Sequence, residues 1–223
     1  MRRGLLALGA TVLSLALAVL VVLWNQPPPV EDTAEALADY GTVPDFRLTE
    51  RDGRTVTLED LRGLVWLANF IYTECTETCP FQSLEIRRLQ EEFADARDLR
   101  FVSITVDPNH DTPAVLRRYA DRYAADPERW LFLTGPKLAI HALARDGFKL
   151  GVSDTPPAWS GGPGWLLGPG PAFASHGSGG LILHSPRFVL VDRQAQIRAY
   201  HRTDDPDSLD RLRENLRALL AGL

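Results

Sequence analysis

LVWLANFIYTECTETCP, residues 64–80, runs from an almost wholly apolar segment straight into the chain's only two cysteines, Cys75 and Cys79. The continuous apolar run LVWLANFIY has the length of a central strand buried on both faces, not the alternation of a half-exposed one. From Pro80 to about Ala94, Phe81, Leu84, Ile86, Leu89 and Phe93 recur close to helical spacing. The expectation is a buried strand, a turn carrying Cys75, and a helix beginning at Cys79. Three residues separate the cysteines, whereas a thioredoxin-type redox motif has two between them. A disulfide switch, a metal clamp and simple packing all remain open at this point.

Working outward, the same rhythm repeats. VPDFRLTERDGRTVTL has two alternating runs around Asp52-Gly53, a hairpin signal. LRFVSITVD (residues 99–107) and WLFLT (130–134) read as further buried strands. Between them TPAVLRRYADRY opens with Thr112 as N-cap and Pro113 at the first helical position. Residues 136–145 read as a short helix, RFVLVD and QIRAYHR as a terminal hairpin, and DPDSLDRLRENLRALL as a closing amphipathic helix. Residues 151–180 are rich in Pro and Gly with scattered aromatics and read as an exposed loop or insertion. Helices alternating with buried strands, ended by an antiparallel hairpin, predict an α/β sandwich around a mixed sheet.

The chain has 223 residues, 45% of them hydrophobic, enough for one domain with a substantial core. Its net charge is −5, and setting aside Arg2 and Arg3 leaves 22 basic against 29 acidic residues. An acidic domain lacks the electrostatic footprint of a nucleic-acid binder. Residues 4–24 carry no charge, and about 20 such residues span the roughly 30 Å hydrocarbon core as a helix. Arg2 and Arg3 favour keeping the N-terminal end in the cytoplasm. A cleaved signal peptide is the competing reading, but the run is long for one and no small-x-small site follows closely. The expected organisation is an uncleaved anchor over residues 1–25, a linker over 26–40 and a domain over 41–223. The anchor would be a single-pass helix of the inner membrane, with the domain facing the periplasm or an equivalent compartment.

In such a compartment cysteines often form structural bridges. Here a bridge would close a very short loop and stabilise little, so chemistry is the better reading of the pair. A helix N-terminus lowers a thiol pKa, and two thiolates select soft ions such as Cu(I) or Zn. A third ligand would come from the five histidines. His184 stands immediately before the strand RFVLVD, at a loop–strand junction from which an imidazole can reach a neighbouring strand–helix turn. His176 is near enough in sequence to compete, while His110, His141 and His201 fall in a turn, a helix and a terminal strand. The sole methionine is Met1, so thioether copper ligation is excluded.

Four segments resemble the Sco/SenC family of membrane-anchored copper proteins with a thioredoxin-like fold. PDFRLTERDGRTVTLEDLRG is similar to its opening hairpin, and NFIYTECTETCP to its strand followed by Cys-x-x-x-Cys-Pro. SITVDPNHDTPAVLRRYA is similar to its Asp-Pro-x-x-Asp-Thr-Pro segment, and HSPRFVLVDRQAQIRAY to the block that opens with a ligand histidine. With WLFLTG, the resemblance extends over residues 43–200. It implies a thioredoxin-like sandwich, with Cys75, Cys79 and His184 as copper ligands. Asp107 and Asp111 match the family's acidic pair, and Asp107 would support the site from outside the coordination sphere. The implied role is copper delivery to the CuA-bearing subunit of cytochrome c oxidase, supplied by an upstream copper donor or thiol reductant. The alternative is a thiol–disulfide oxidoreductase, with Cys75 attacking and Cys79 resolving, that keeps the cysteines of a copper-site apoprotein reduced. Binding and transfer, not catalysis, is the leading expectation. Three departures stand out: Thr76 replaces a proline that often follows the first cysteine, Asp192–Ala195 lacks the usual hairpin glycine, and the loop before His184 is unusually rich in Gly and Pro.

Overall fold

The segment Val65–Ile71 is a strand buried at every position, and the remaining elements assemble on it. The computed structural model describes residues 37–150, 152–153, 182–183 and 186–222. The apolar run of residues 4–24 and most of the Pro/Gly-rich segment lie outside them. Among the described residues no helix is long and apolar enough to cross a membrane.

In chain order the strands are β1 (Arg47–Glu50), β2 (Thr55–Thr57), β3 (Val65–Ile71), β4 (Leu99–Thr105), β5 (Trp130–Thr134), β6 (Val152–Ser153), β7 (Ile182–Leu183), β8 (Arg187–Val191) and β9 (Ile197–Arg202). The helices are α1 (Thr78–Glu92), α2 (Pro113–Arg122), α3 (Lys137–Ala142), which runs on into a π-turn Leu143–Gly147, and α4 (Pro206–Ala221). Seven strands form one mixed sheet in the order β2-β1-β5-β4-β3-β8-β9. The pairs β3–β4 and β4–β5 are parallel, while β3–β8 and β8–β9 are antiparallel. The mixed sheet expected from the sequence is therefore present. The hairpin at Asp52-Gly53 also forms, with Leu48 opposite Val56 and Gly53 at φ 94°, where a side chain would be strained. β6 pairs antiparallel with β7, so Val152–Ser153, inside the stretch that the sequence reads as an exposed loop or insertion, form a short ladder with Ile182–Leu183.

Alternate residues of each central strand serve opposite faces. Trp66, Ala68 and Phe70 join Val102, Ile104 and Val189 in one core. Val65, Leu67 and Ile71 join Phe101, Phe132, Phe188 and Leu190 in the other. Ile86 and Leu89 of α1, Leu116 and Tyr119 of α2, and Leu212 and Leu216 of α4 cover the second face. Asn69 shares the Leu67 side and would be an orphaned polar group there. Its amide instead donates to Gln82 Oε1 on α1 at 3.1 Å, and its Oδ1 accepts from Ser103. Ser103 Oγ in turn accepts from Trp130 Nε1. This fully buried chain ties three parallel strands to α1 and fixes how the helix sits on the sheet.

Two local details follow from residue type. Thr112 caps α2, its hydroxyl accepting from Val115 N–H, worth about 1 kcal/mol. Between β8 and β9, Ala195 adopts φ 64° where glycine is usual, at a cost of roughly 1–2 kcal/mol. Asp192 holds that turn by accepting from the N–H groups of Gln194 and Gln196 and from Arg198.

Helix α1 departs from the expected pattern at two positions. Phe81 is 72% exposed and Leu84 44% exposed, although both fit a helical apolar series. Its buried face is instead Cys79, Gln82, Ser83, Ile86 and Leu89, with Glu85 closing it against α4 through Arg213. Polar residues satisfied by Asn69, Tyr119 and Arg213 turn the helix away from its largest apolar side chains.

Candidate functional site

β3 and β4 end at the same edge of the sheet, and β8, antiparallel to β3, begins there. The turn after β3 carries Cys75, and α1 starts at Thr78 with Cys79 in its first turn. Cys75 N–H donates to Tyr72 C=O at 3.1 Å, closing a tight turn directly off the strand. Cys75 Sγ then accepts from the N–H of Cys79 at 3.4 Å, and Thr78 Oγ1 lies 3.9 Å away. Both cysteines are free thiols and both are buried. The pair expected from the sequence is thus brought together, with Cys75 in the turn before the helix and not in its first turn.

The two sulfurs are electrostatically unequal. A hydrogen bond from the Cys79 thiol is the largest influence on Cys75. Burial opposes it, while backbone N–H groups of Cys79 and Glu77 and the Tyr72 hydroxyl reinforce it, and the Cys75 pKa falls to about 4. Cys79 is pushed up, first by that same hydrogen bond to Cys75, then by burial and the charge on its neighbour. Tyr72 is also raised, by burial and then by its hydrogen bond to Cys75. The oriented donors thus favour the thiolate form at Cys75 and the protonated form at Cys79.

Asp107 and Asp111 bound the turn after β4. Asp107 engages through its backbone: its N–H donates to Thr105 Oγ1, and its C=O accepts from the N–H groups of His110 and Asp111. Asp111 is fully buried and accepts from both the N–H and the hydroxyl of Thr73 in the cysteine turn. His110 lies in this turn, with Nδ1 3.2 Å from Asp111 and Nε2 3.3 Å from Glu74. Its pKa is raised, chiefly by the hydrogen bond to Asp111 and further by the charge of Glu74. His201, on β9, is buried against α4, its ring meeting Ser208 C=O and Asn215. His141 is buried in α3. His184 and His176 lie outside the described residues, and Pro186 is the last described residue before β8. Among the described residues no group of three or more His, Cys, Asp and Glu is arranged to hold a metal ion.

The sequence model of the SCO1/SenC family matches residues 33–221. The chain belongs to the SCO1/SenC family. A SCO1 homologue of Bacillus subtilis is 40% identical over 109 residues, covering 48% of this chain and 56% of that protein. The mitochondrial SCO2 of Saccharomyces cerevisiae is 26% identical over 196 residues, covering 84% of this chain and 58% of its own length. The chain therefore spans about half the length of the curated relatives it matches. Among solved structures, BsSco superposes with a TM-score of 0.64 at 25% identity, over 84% of this chain and 98% of its own. That Sco protein belongs to a family of cytochrome c oxidase assembly proteins and contains a disulfide switch. Bradyrhizobium japonicum ScoI, solved with copper bound, superposes with a TM-score of 0.58 at 23% identity, over 78% of this chain and 99% of its own. The SCO1/SenC architecture is thus the fold of this chain, as the resemblance implied.

Sequence reasoning found the cysteine pair but not Tyr72, Thr73 or the Glu74–His110 contact. Tyr72 closes an apolar run and carries no mark of its contact with a thiol. The acidic pair was visible in the motif, but only the fold shows that Asp111 is the one that grips the cysteine turn.

Proposed function

We propose that this chain is a membrane-anchored copper metallochaperone of the extracytoplasmic face. It binds one copper ion through Cys75, Cys79 and His184, and delivers it to the CuA-bearing subunit of cytochrome c oxidase or a similar acceptor. The observation that carries this reading is the thiol pair at the start of α1, with Cys75 Sγ accepting from Cys79 N–H and its pKa drawn well below the ordinary thiol value by the surrounding donors. Thiolate and imidazole donors suit Cu(I), and binding it displaces the remaining thiol proton. The third donor is argued from position. β8 runs antiparallel to β3, so Pro186 stands at the edge where the cysteine turn leaves the sheet. His184 precedes Pro186 by two residues, a reach of at most about 7 Å. Membership of the SCO1/SenC family and the copper-bound relatives support the same ion. Copper content of the reduced full-length protein tests it: one equivalent in the wild type, and strong loss in His184→Ala with the fold retained. Equal retention in the variant would remove His184 from the site.

The inequality of the thiols favours a second reading, thiol–disulfide exchange. The Cys75 thiolate would attack a client disulfide, forming a mixed disulfide and releasing one client thiolate. Cys79, as it loses its proton, would then attack Cys75 Sγ, closing the Cys75–Cys79 disulfide and releasing the second client thiol. Two electrons pass to the client, and an external dithiol must restore the pair. The disulfide switch in BsSco supports this chemistry in a relative. The two readings are compatible in sequence, since only the reduced pair offers thiolates to copper.

A further inference from the structure

Asp111 is 0% exposed, and a carboxylate so placed must have its lone pairs met by protein donors. Four donors do so. Oδ2 accepts from Thr73 N–H at 3.1 Å and from the Thr105 hydroxyl. Oδ1 accepts from the Thr73 hydroxyl at 2.5 Å and faces His110 Nδ1 at 3.2 Å. An ionised carboxylate has about four lone-pair positions, so Asp111 is saturated and cannot rotate without losing bonds. Its own backbone is pinned as well, its N–H donating to Asp107 C=O at 2.9 Å.

Two of the four donors belong to one residue, Thr73, which lies two positions before Cys75. The next link is the Cys75 N–H bond to Tyr72 C=O, and the one after it is Cys75 Sγ against Cys79 N–H. A continuous path therefore runs from the end of β4 through Asp111 and Thr73 to the sulfur. The outer contact, His110 with Glu74, is solvent-exposed and adds little. By contrast, the Thr73–Asp111 bonds are charge-assisted and shielded, which makes them strong and directional.

We propose that Asp111 is a positioning residue for the thiol pair: through Thr73 it fixes the turn that holds Cys75 Sγ against α1 before any metal or disulfide partner arrives. The copper consequence rests on the function proposed above, whereas the geometric claim does not. A preformed pair avoids an ordering cost on binding.

The test uses the reduced full-length chain and the variants Thr73→Val, Thr73→Ser and Asp111→Asn. Thr73→Val removes the hydroxyl but keeps the shape and the N–H bond. Thr73→Ser restores the hydroxyl, and Asp111→Asn exchanges one acceptor for a donor. Cu(I) affinity is read by competition with a chromophoric chelator, and amide hydrogen exchange is read on the metal-free protein. In Thr73→Val the Thr73-position and Cys75 amides should exchange about tenfold faster, with β3 and β4 unchanged. Cu(I) affinity should fall about 10- to 100-fold. Thr73→Ser should return both to wild type, and Asp111→Asn should follow Thr73→Val. Wild-type exchange at those two amides in Thr73→Val, or acceleration spread evenly through β3 and β4, would overturn the proposal. Should the wild type take up no copper, the function proposed above fails while the exchange result alone decides the role of Asp111.

Discussion

Cys75 shows how a single residue acquires its chemistry from its neighbours. The Cys79 thiol and N–H, together with Tyr72, supply donors that only a turn placed under a helix N-terminus can gather. The folded pKa, about 4, lies far below the ordinary thiol value. Alkylation of Cys75 by iodoacetamide should therefore stay nearly constant from pH 8 down to about pH 5, where an ordinary thiol loses about tenfold per unit. Cys79→Ala deletes the foremost donor and should move the inflection upward. A wild-type inflection near that of free cysteine would contradict the electrostatic picture. The pair itself was legible in the sequence, because two cysteines alone in a chain and near a strand–helix junction invite chemistry. The grip of Asp111 on Thr73 was not, because the contact spans 38 positions and no local pattern encodes it.

At the scale of elements, hydrophobic runs revealed strands and the closing helix because burial imposes period. Thus β3, β4, β5, the β8–β9 hairpin and α4 were all readable. Period misled at α1, where Phe81 and Leu84 look like core but face solvent. The helix is oriented instead by Gln82, Ser83 and Glu85, whose partners, buried on β3 and α2 and half-buried on α4, cannot be seen locally. The β9–α4 contact carries a pH-dependent contribution. Burial pushes the His201 pKa down to about 4, and its ring meets Ser208 C=O. The unfolded chain binds this proton near pH 6.5, so the contribution is intact above that value and lost as pH falls toward 4. Its size is on the order of 3 kcal/mol. Denaturant unfolding of wild type between pH 7 and pH 4 should show that loss, and His201→Gln should flatten the slope. An unchanged slope in the variant would place the acid sensitivity elsewhere.

Over the whole domain, mixed sheet order does the work that no motif could announce. Inserting β8 antiparallel beside β3 brings Pro186 to the edge where the cysteine turn leaves the sheet. The terminal hairpin was legible, but its seat next to β3 was not, since strand order depends on which faces bury best together. The same edge collects the turn after β4, so three sequence-distant segments, the cysteine turn, the turn after β4 and the start of β8, meet at one edge of the sheet. Convergence of this kind explains why the motifs resemble the family in order while being separated by dozens of residues. The most direct test of the account is X-ray absorption on the copper-loaded, reduced full-length protein. The prediction is one copper per chain with two sulfur donors and one nitrogen donor, the nitrogen disappearing in His184→Ala. Copper bound without sulfur, or a nitrogen donor that persists in that variant, would contradict it.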